Sequence, residues 1–197
     1  ALPSSIKWKS STVGAYSSGP YSTVIDEFNN AIIGDKDLFY LPPFDLSASV
    51  SPTTLEFDVA YAPYDAVYFE RLEVEVSTDC GLNWTTLYSK SDTVLATAPA
   101  CVTSFTPTST QWRTETLSLD NFLVSDVNIR FKATNGYGNK IYLDNINVYS
   151  GAAGEEENLF LNEVKIFPNP MSSSATVTLE SEDAGLEIST FILIDIS

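Results

Sequence analysis

LEVEVS, residues 72–77, is the stretch that indicates the fold class of this chain most directly. Leucine and valine alternate along it with glutamate and serine, so successive side chains point to opposite sides of a β-strand. One side is apolar and the other is polar, which is typical of a sheet that has one face in a core and the other in water. The stretch therefore predicts a strand of an antiparallel sheet.

The same two-residue period recurs on both sides of this strand. LEFDVAY at Leu55–Tyr61 and VNIRFK at Val127–Lys132 alternate in the same way, and Trp112–Leu119 and Ile141–Tyr149 supply two more strands. No apolar stripe with the 3.6-residue period of a helix is present in the sequence. The pattern predicts an all-β chain built around an antiparallel jelly-roll sandwich. An immunoglobulin-like sandwich is the alternative architecture.

Composition excludes several classes of function. The chain of 197 residues carries 26 Asp and Glu against 10 Lys and Arg, for a net charge of −16. Such a surface disfavours nucleic-acid phosphates and anionic membranes, and it favours divalent cations. Histidine is absent, which removes the commonest general base and zinc ligand.

The acidic residues do not form a catalytic pattern. Glu56, Asp58, Glu73 and Glu75 lie on the polar face of predicted strands, where a solvated sheet surface explains them. The sequence shows no nucleophile–base pair, phosphate-binding loop or metal triad. We expect no enzymatic activity from this segment and place any catalytic domain of the parent protein upstream of Ala1. Because the sequence has no initiator Met, signal peptide or membrane-spanning apolar run, we expect a mature C-terminal fragment that does not span a membrane.

Two cysteines, Cys80 and Cys101, are too few for a four-ligand metal site. In an oxidising compartment they would most simply form a disulfide, and closing a loop of that size would stabilise the fold by roughly 3 kcal/mol. Two free buried thiols are the alternative. The segment STDCGLNW at Ser77–Trp84 resembles the Asp-box, a hairpin motif that sialidase propellers carry in several copies. A single copy indicates a structural turn and not a glycosidase.

The segment from Trp8 to Tyr149 resembles a jelly-roll domain of secreted bacterial adhesins. Related domains occur beside secreted metalloproteases, and the fold is similar to MAM and galactose-binding-like domains. The resemblance implies a non-catalytic accessory domain that often holds a structural calcium ion between its first loops and its last strand. It is carried by Leu55–Tyr61, Leu72–Asp79, Trp112–Arg113, Gly136–Asn139 and Tyr142–Ile146.

A calcium site is predicted around Asp144. The apolar alternation of Ile141–Tyr149 slips by one residue at this position, which indicates a β-bulge that redirects side chains. Calcium prefers carboxylate and amide oxygens, and the early loop offers Asn29, Asn30, Asp35 or Asp37 as further ligands. Alternatively, Asp144 caps the bulge and the early acids are solvated turn residues.

The last forty residues form a separate module. GAAGEEEN at 151–158 is a linker of small and mutually repelling residues, so the jelly roll occupies 1–150 and the module 159–197. Within EVKIFPNPMSSSATVTLE, residues 163–180, a strand ends at a Pro-Asn-Pro bend because proline cannot continue the ladder. A second strand follows the bend.

This sequence is similar to the start of the C-terminal sorting domain of proteins exported by the bacterial type IX secretion system. Phe167, Pro168, Asn169 and Pro170 match the motif that opens that domain. The resemblance implies a small, incomplete immunoglobulin-like β-sandwich that is recognised by an outer-membrane shuttle and translocon. It also implies passage through the periplasm to the cell surface or the medium.

Carbohydrate binding is the alternative function, as a module of a secreted hydrolase or adhesin. Several tyrosines lie in loop-like stretches, where their rings could stack on sugars. Aromatic residues of β-proteins are more often part of the core or of a strand face. The candidates are Tyr16, Tyr21, Tyr61, Tyr64, Tyr68 and Tyr137.

Overall fold

The computed structural model describes residues 7–17 and 19–151, and the backbone of residues 161–167, 174–181 and 190–194. The chain divides into two compact units, Ala1–Ala153 and Gly154–Ser197. In both units the described residues form mainly β-strands.

The first unit is an all-β sandwich of two antiparallel sheets. Its strands are β1 (Lys9–Ser11), β2 (Ser22–Ile25), β3 (Lys36–Tyr40), β4 (Val50–Tyr61), β5 (Arg71–Ser77), β6 (Thr85–Ser91), β7 (Arg113–Ser118), β8 (Asn128–Thr134) and β9 (Ile141–Gly151). The first sheet has the strand order β1-β2-β9-β4-β7 and the second the order β3-β8-β5-β6. The described part of this unit contains one α-helical turn, α1 (Asp92–Leu95).

The main core lies between the two sheets and follows the predicted alternation. Leu72, Val74 and Val76 of β5 are buried in it, as are the apolar residues of β4 and β8. Phe57 of β4 meets Phe131 of β8 edge to face, with ring centroids 5.0 Å apart. These contacts confirm the predicted two-sheet antiparallel sandwich, because the alternating apolar residues of β4, β5 and β8 are the ones that are buried.

A second, smaller apolar cluster lies on the other face of the first sheet. Ile141 and Leu143 of β9 point into the main core, whereas Tyr142 between them belongs to this second cluster. Phe105 and Trp112, from the long segment between α1 and β7, pack against Tyr142 with centroid distances of 6.2 Å each. The segment therefore covers part of a sheet face that would otherwise be exposed.

The Asp-box forms the β5–β6 turn and makes structural contacts. Asp79 Oδ1 accepts hydrogen bonds from the Ser77 hydroxyl (2.7 Å) and the Asn83 backbone N–H (2.8 Å). These bonds, first of all the one from the Asn83 backbone, lower the pKa of Asp79 to about 2. Gly81 has a φ of 81°, and its carbonyl accepts a 2.9 Å bond from the Trp84 indole N–H. The motif therefore holds the hairpin, in agreement with the structural interpretation.

The predicted disulfide is absent, since Cys80 and Cys101 are both free thiols. Cys80 lies in the β5–β6 turn and contacts Asp126 Oδ2 at 2.8 Å. Cys101 lies in the segment after α1, where its sulfur contacts the Thr103 carbonyl at 3.3 Å and its N–H bonds the Pro63 carbonyl. The two thiols thus contact different partners, Asp126 and Thr103. The alternative required two buried thiols, but the Cys80 thiol is exposed.

The second unit contains one antiparallel sheet in the order β10-β11-β12, formed by β10 (Leu161–Phe167), β11 (Ser174–Ser181) and β12 (Thr190–Ile194). Phe167 ends β10, and Pro168, Asn169 and Pro170 lie outside the described residues. The immunoglobulin-like form of this unit stays a prediction. Across the described parts of both units, no helix has the length and apolar character needed to cross a bilayer.

Candidate functional site

Three loops meet at one end of the sandwich, which we call the loop end. They are residues 26–35 between β2 and β3, residues 62–70 between β4 and β5, and residues 135–140 between β8 and β9. The strand register brings them together, because the last residues of β2 and β4 both pair with Ile141, and the first residues of β3 and β5 both pair with Thr134.

A buried carboxylate, Glu70, joins two of these loops. It has no solvent exposure. Its Oε1 accepts the Gly138 N–H at 2.6 Å, and its Oε2 accepts the Asn139 N–H at 2.8 Å and the Tyr61 hydroxyl at 2.7 Å. Burial raises the pKa of Glu70, and the hydrogen bonds oppose that rise. A Cβ atom on Gly138 would collide with the carboxylate, so glycine is required for this close approach.

Two buried asparagines complete the connections between loops. Asn135 donates to the Asn30 and Ile32 carbonyls at 2.9 Å each and accepts the Tyr137 N–H at 2.6 Å. Asn139 donates to carbonyls of the segment after α1 and accepts the Phe105 N–H at 2.8 Å. Because these bonds join loop side chains to the backbone of neighbouring segments, the loop end is held in one conformation.

Four aromatic rings form a continuous row over this network. Centroid distances are 6.3 Å from Phe28 to Tyr64, 6.4 Å from Tyr64 to Tyr68 and 5.4 Å from Tyr68 to Tyr137. Tyr137 is 47% exposed and Tyr68 is 37% exposed. We call these four residues the aromatic row. The accessible rings of Tyr68 and Tyr137 meet at 71° and so form an angled pair and not a flat surface.

The tyrosines predicted from the sequence are only partly brought together. Tyr64, Tyr68 and Tyr137 share the aromatic row, and Phe28, which the sequence did not single out, extends it. Tyr61 is buried in the main core and bonds Glu70. Tyr16 and Tyr21 are exposed and belong to the chain before β2, away from the row.

Three of the predicted calcium ligands lie in one cluster at the loop end. The Asn30 amide donates to Glu27 Oε2 at 2.7 Å and to Asp35 Oδ2 at 3.2 Å. Asp37 is buried nearby on β3, and Lys7 Nζ lies 2.6 Å from its Oδ1. We call Glu27, Asn30, Asp35 and Asp37 the acidic cluster. Burial above all, followed by the charges of Asp37, Glu70 and Asp35, raises the pKa of Glu27 to about 7, against the opposing hydrogen bond from Asn30.

The fourth predicted ligand, Asp144, is not brought to the acidic cluster. It lies on β9 of the first sheet, where its Oδ2 accepts the Ala15 N–H at 2.7 Å and its Oδ1 accepts the Asn145 N–H at 2.8 Å. The β4–β9 register shifts beside it, and Asn145 has a φ of 47°, so the predicted bulge is present. Among the described residues, no three Asp, Glu or Cys side chains are placed so that they could hold a metal ion.

The strand carboxylates have structural partners. Glu75 is 5% exposed and pairs with Arg130 at 2.6 Å and with Lys132. Asp58 is 4% exposed and accepts bonds from Thr114 at 2.5 Å and Asn145 at 2.7 Å. Both carboxylates are therefore buried and paired, whereas the sequence predicted that they lie on a solvated sheet surface.

Comparison with known proteins supports the fold. No family model matches the chain, and no curated protein matches its sequence. The K1 cleaved adhesin domain of Lys-gingipain from Porphyromonas gingivalis W83 is similar, with a TM-score of 0.50, 15% identity and coverage of 75% of this chain and 86% of that chain. The carbohydrate-binding module CBM27-1 of Caldicellulosiruptor saccharolyticus, solved with mannohexaose, has a TM-score of 0.47 and 18% identity, with coverage of 71% of this chain and 80% of that chain. A family 11 carbohydrate-binding module of Clostridium thermocellum, solved with a mixed-linked tetrasaccharide, has a TM-score of 0.42 and 14% identity, with coverage of 75% of this chain and 85% of that chain. The similarity to the adhesin domain therefore supports the β-sandwich fold of this chain.

The Glu70 network predicts a specific loss of stability. In Glu70→Gln an amide NH₂ replaces one accepting oxygen, so one backbone N–H of Gly138 or Asn139 loses its buried acceptor. We expect the free energy of unfolding to fall by about 1–3 kcal/mol, measured by urea denaturation. Glu56→Gln, at a half-buried carboxylate whose bond to Thr116 is 3.5 Å long, is the matched control and should change stability far less. Equal stability of the two variants would contradict a structural role for the Glu70 carboxylate.

Proposed function

We propose that this unit is a non-catalytic glycan-binding domain of jelly-roll type and that Tyr68 and Tyr137 contact the sugar. The observation that carries the proposal is the pair of exposed tyrosine rings 5.4 Å apart at the loop end. Tyrosine combines an apolar ring face with a hydroxyl, so it can stack on the C–H face of a sugar and bond its hydroxyl groups.

The support beneath the rings favours binding. Tyr137 has a φ of 66°, and its backbone N–H is fixed by Asn135. The adjacent Gly136 lies against the Phe69 carbonyl with no room for a Cβ atom. A ring pair that is already ordered loses little conformational entropy when a ligand binds, so more of the contact energy appears as affinity.

Replacement of the exposed ring should remove binding without unfolding the domain. We expect Tyr137→Ala to weaken oligosaccharide binding by at least about fivefold, because loss of one stacked aromatic ring costs about 1–3 kcal/mol at binding sites. Isothermal titration against hits from a glycan array measures the effect. Tyr21→Ala, at a ring that is 64% exposed outside the aromatic row, is the control and should bind like the unmodified protein. Unchanged affinity in Tyr137→Ala would contradict the proposal that the aromatic row contacts the sugar.

We also propose that Glu27 and Asp37, two carboxylates of the acidic cluster, bind calcium, in place of the site around Asp144 that the sequence pattern predicted. Support comes from two buried carboxylate oxygens without hydrogen-bond partners, Glu27 Oε1 and Asp37 Oδ2. A cation would compensate both, with Asn30 and neutral oxygens of the loop as further ligands. Bound calcium would hold residues 26–35 in place through electrostatic attraction.

Calcium should therefore stabilise the domain. At a calcium concentration of 100 times the dissociation constant we expect about 2.7 kcal/mol of added stability, seen as a rise in melting temperature that EDTA reverses. Glu27→Gln should abolish the rise, whereas Asp144→Asn should preserve it because Asp144 lies on the first sheet. A rise lost in Asp144→Asn and kept in Glu27→Gln would place the ion at the bulge and contradict this assignment.

A second role concerns the unit at 154–197. We propose that residues 159–197 are the start of a type IX sorting domain, recognised by the outer-membrane shuttle and translocon, so that the protein reaches the cell surface or the medium. The proposal is supported by Phe167, Pro168, Asn169 and Pro170, which match the motif that opens that domain, and by the three-stranded sheet β10-β11-β12.

Deletion of residues 159–197 tests this role. We expect the truncated protein to keep the melting temperature of the first unit and to accumulate in the periplasm of a host with type IX export. Fractionation followed by immunoblotting measures its location. A deletion of linker residues 152–156 is the control and should leave export unchanged. Normal surface display of the truncated protein would contradict the sorting role.

A further inference from the structure

The cations of the first unit are almost all neutralised by carboxylates. Each of the following has an ion-pair partner within 3.8 Å: Lys7 with Asp37, Lys9 and Lys140 with Asp26, Lys90 and Arg113 with Glu115, and Arg130 and Lys132 with Glu75. Two cations among the described residues have no such partner, Lys36 and Arg71. The guanidinium of Arg71 makes one long contact, 3.5 Å to the Ser89 hydroxyl.

These two cations lie in one row of the second sheet. Lys36 of β3 and Arg71 of β5 both pair in register with Thr134 of β8, which runs between them. The neighbouring residues Leu72 and Ala133 point into the core, so Lys36, Thr134 and Arg71 share the outer face. With strands about 4.8 Å apart, the Cα atoms of the two cations are roughly 10 Å apart. We call these three residues the cation row.

The cation row adjoins the loop end. Lys36 directly follows the loop 26–35, Arg71 directly follows the loop 62–70, and Thr134 directly precedes the loop 135–140 that carries Tyr137. Both cations are exposed, and their long side chains can move towards the same ligand group. A sugar stacked on Tyr137 would therefore have a hydroxyl and two unpaired cations at its side.

We propose that the glycan bound at the loop end is acidic, and that Lys36 and Arg71 bind the carboxylate or sulfate of one of its sugars. This inference rests on the glycan-binding function proposed above. Arginine offers two parallel N–H donors to such an anion, and lysine adds a mobile point charge. Thr134 lies between them with a hydroxyl donor.

The charge of the whole chain restricts the class of ligand. A net charge of −16 repels polyanions, but salt screens exposed charges beyond about 8 Å at physiological ionic strength. The attraction of the two cations therefore outweighs the net repulsion for one anionic group placed against them. A polysaccharide with an anion on every sugar would also be repelled by the acidic surface around them. The preferred ligand is a mostly neutral polysaccharide with widely spaced acidic sugars.

Titration with matched oligosaccharides tests the inference on the full chain. The probes are a neutral xylo-oligosaccharide, the same oligosaccharide with one glucuronic acid branch, a singly sulfated form, and heparin as the densely charged case. We expect one of the singly charged probes to bind about tenfold more tightly than the neutral probe, and heparin to bind more weakly than that probe. The two singly charged arms distinguish carboxylate from sulfate.

Variants assign the preference to the cation row. The double variant Lys36→Gln, Arg71→Gln should lose the tenfold preference for the singly charged probe and keep the affinity for the neutral probe. Tyr137→Ala should weaken binding of the neutral probe and of the preferred singly charged probe. Lys9→Gln, which removes one positive charge from an exposed lysine of the first sheet, is the control and should keep the preference.

The outcomes separate this inference from the proposed function. Equal binding of the neutral and singly charged probes would overturn the acidic-glycan inference and leave glycan binding in place. A preference that survives in the double variant would also overturn it, because another group would then bind the anion. Failure of all four probes, with the neutral hits of a glycan array still bound, would reject the acidic class. Failure of every glycan would reject both proposals.

Discussion

The buried Glu70 carboxylate sets the structure of the loop end. A carboxylate removed from water must have donors, and here Tyr61, Gly138 and Asn139 provide them from inside the sandwich. Satisfying it fixes the loop after β8 against the loop before β5. The two asparagines then extend the same constraint to the early loop and to the segment after α1. The backbone around Tyr137 is thus fixed, at Tyr137 by Asn135 and at Gly138 by Glu70.

Polar and apolar interactions divide the work in this sandwich. The apolar contacts between the sheets hold the strands, and they are indifferent to which loop conformation is adopted. The buried polar network is directional, so it selects one arrangement of the loops. This division explains why carboxylates at the loop end and on the strands are covered and hydrogen-bonded, as Glu70, Asp58 and Glu75 are. It also accounts for an exposed pair of tyrosine rings that rests on a hydrogen-bonded base.

Charge pairing distinguishes one face of the loop end from the rest of the unit. In a chain with a large excess of acids, most cations pair with carboxylates simply because carboxylates are abundant. Lys36 and Arg71 have no such pair because their cross-strand neighbour is Thr134. The nearby carboxylates of Asp35 and Asp37 instead contact Asn30 and Lys7. The strand register therefore leaves Lys36 and Arg71 without a carboxylate partner among the described residues, on strands that adjoin the loop end.

Local patterns in the sequence were enough to predict the strands β4, β5, β7, β8 and β9, the two-layer sandwich, the Asp-box turn and the bulge at Asp144, because each depends on alternation or turn chemistry within a few residues. The same kind of pattern grouped Asn30 with Asp35 and Asp37, which are close along the chain. Strand pairing was needed to place Asp144 elsewhere, to bring Phe28 to the row of Tyr64, Tyr68 and Tyr137, to keep both thiols free, and to bury Glu27 and Glu70. These features depend on which strands pair and in what register, and contacts between residues so distant in sequence leave no trace in a local pattern.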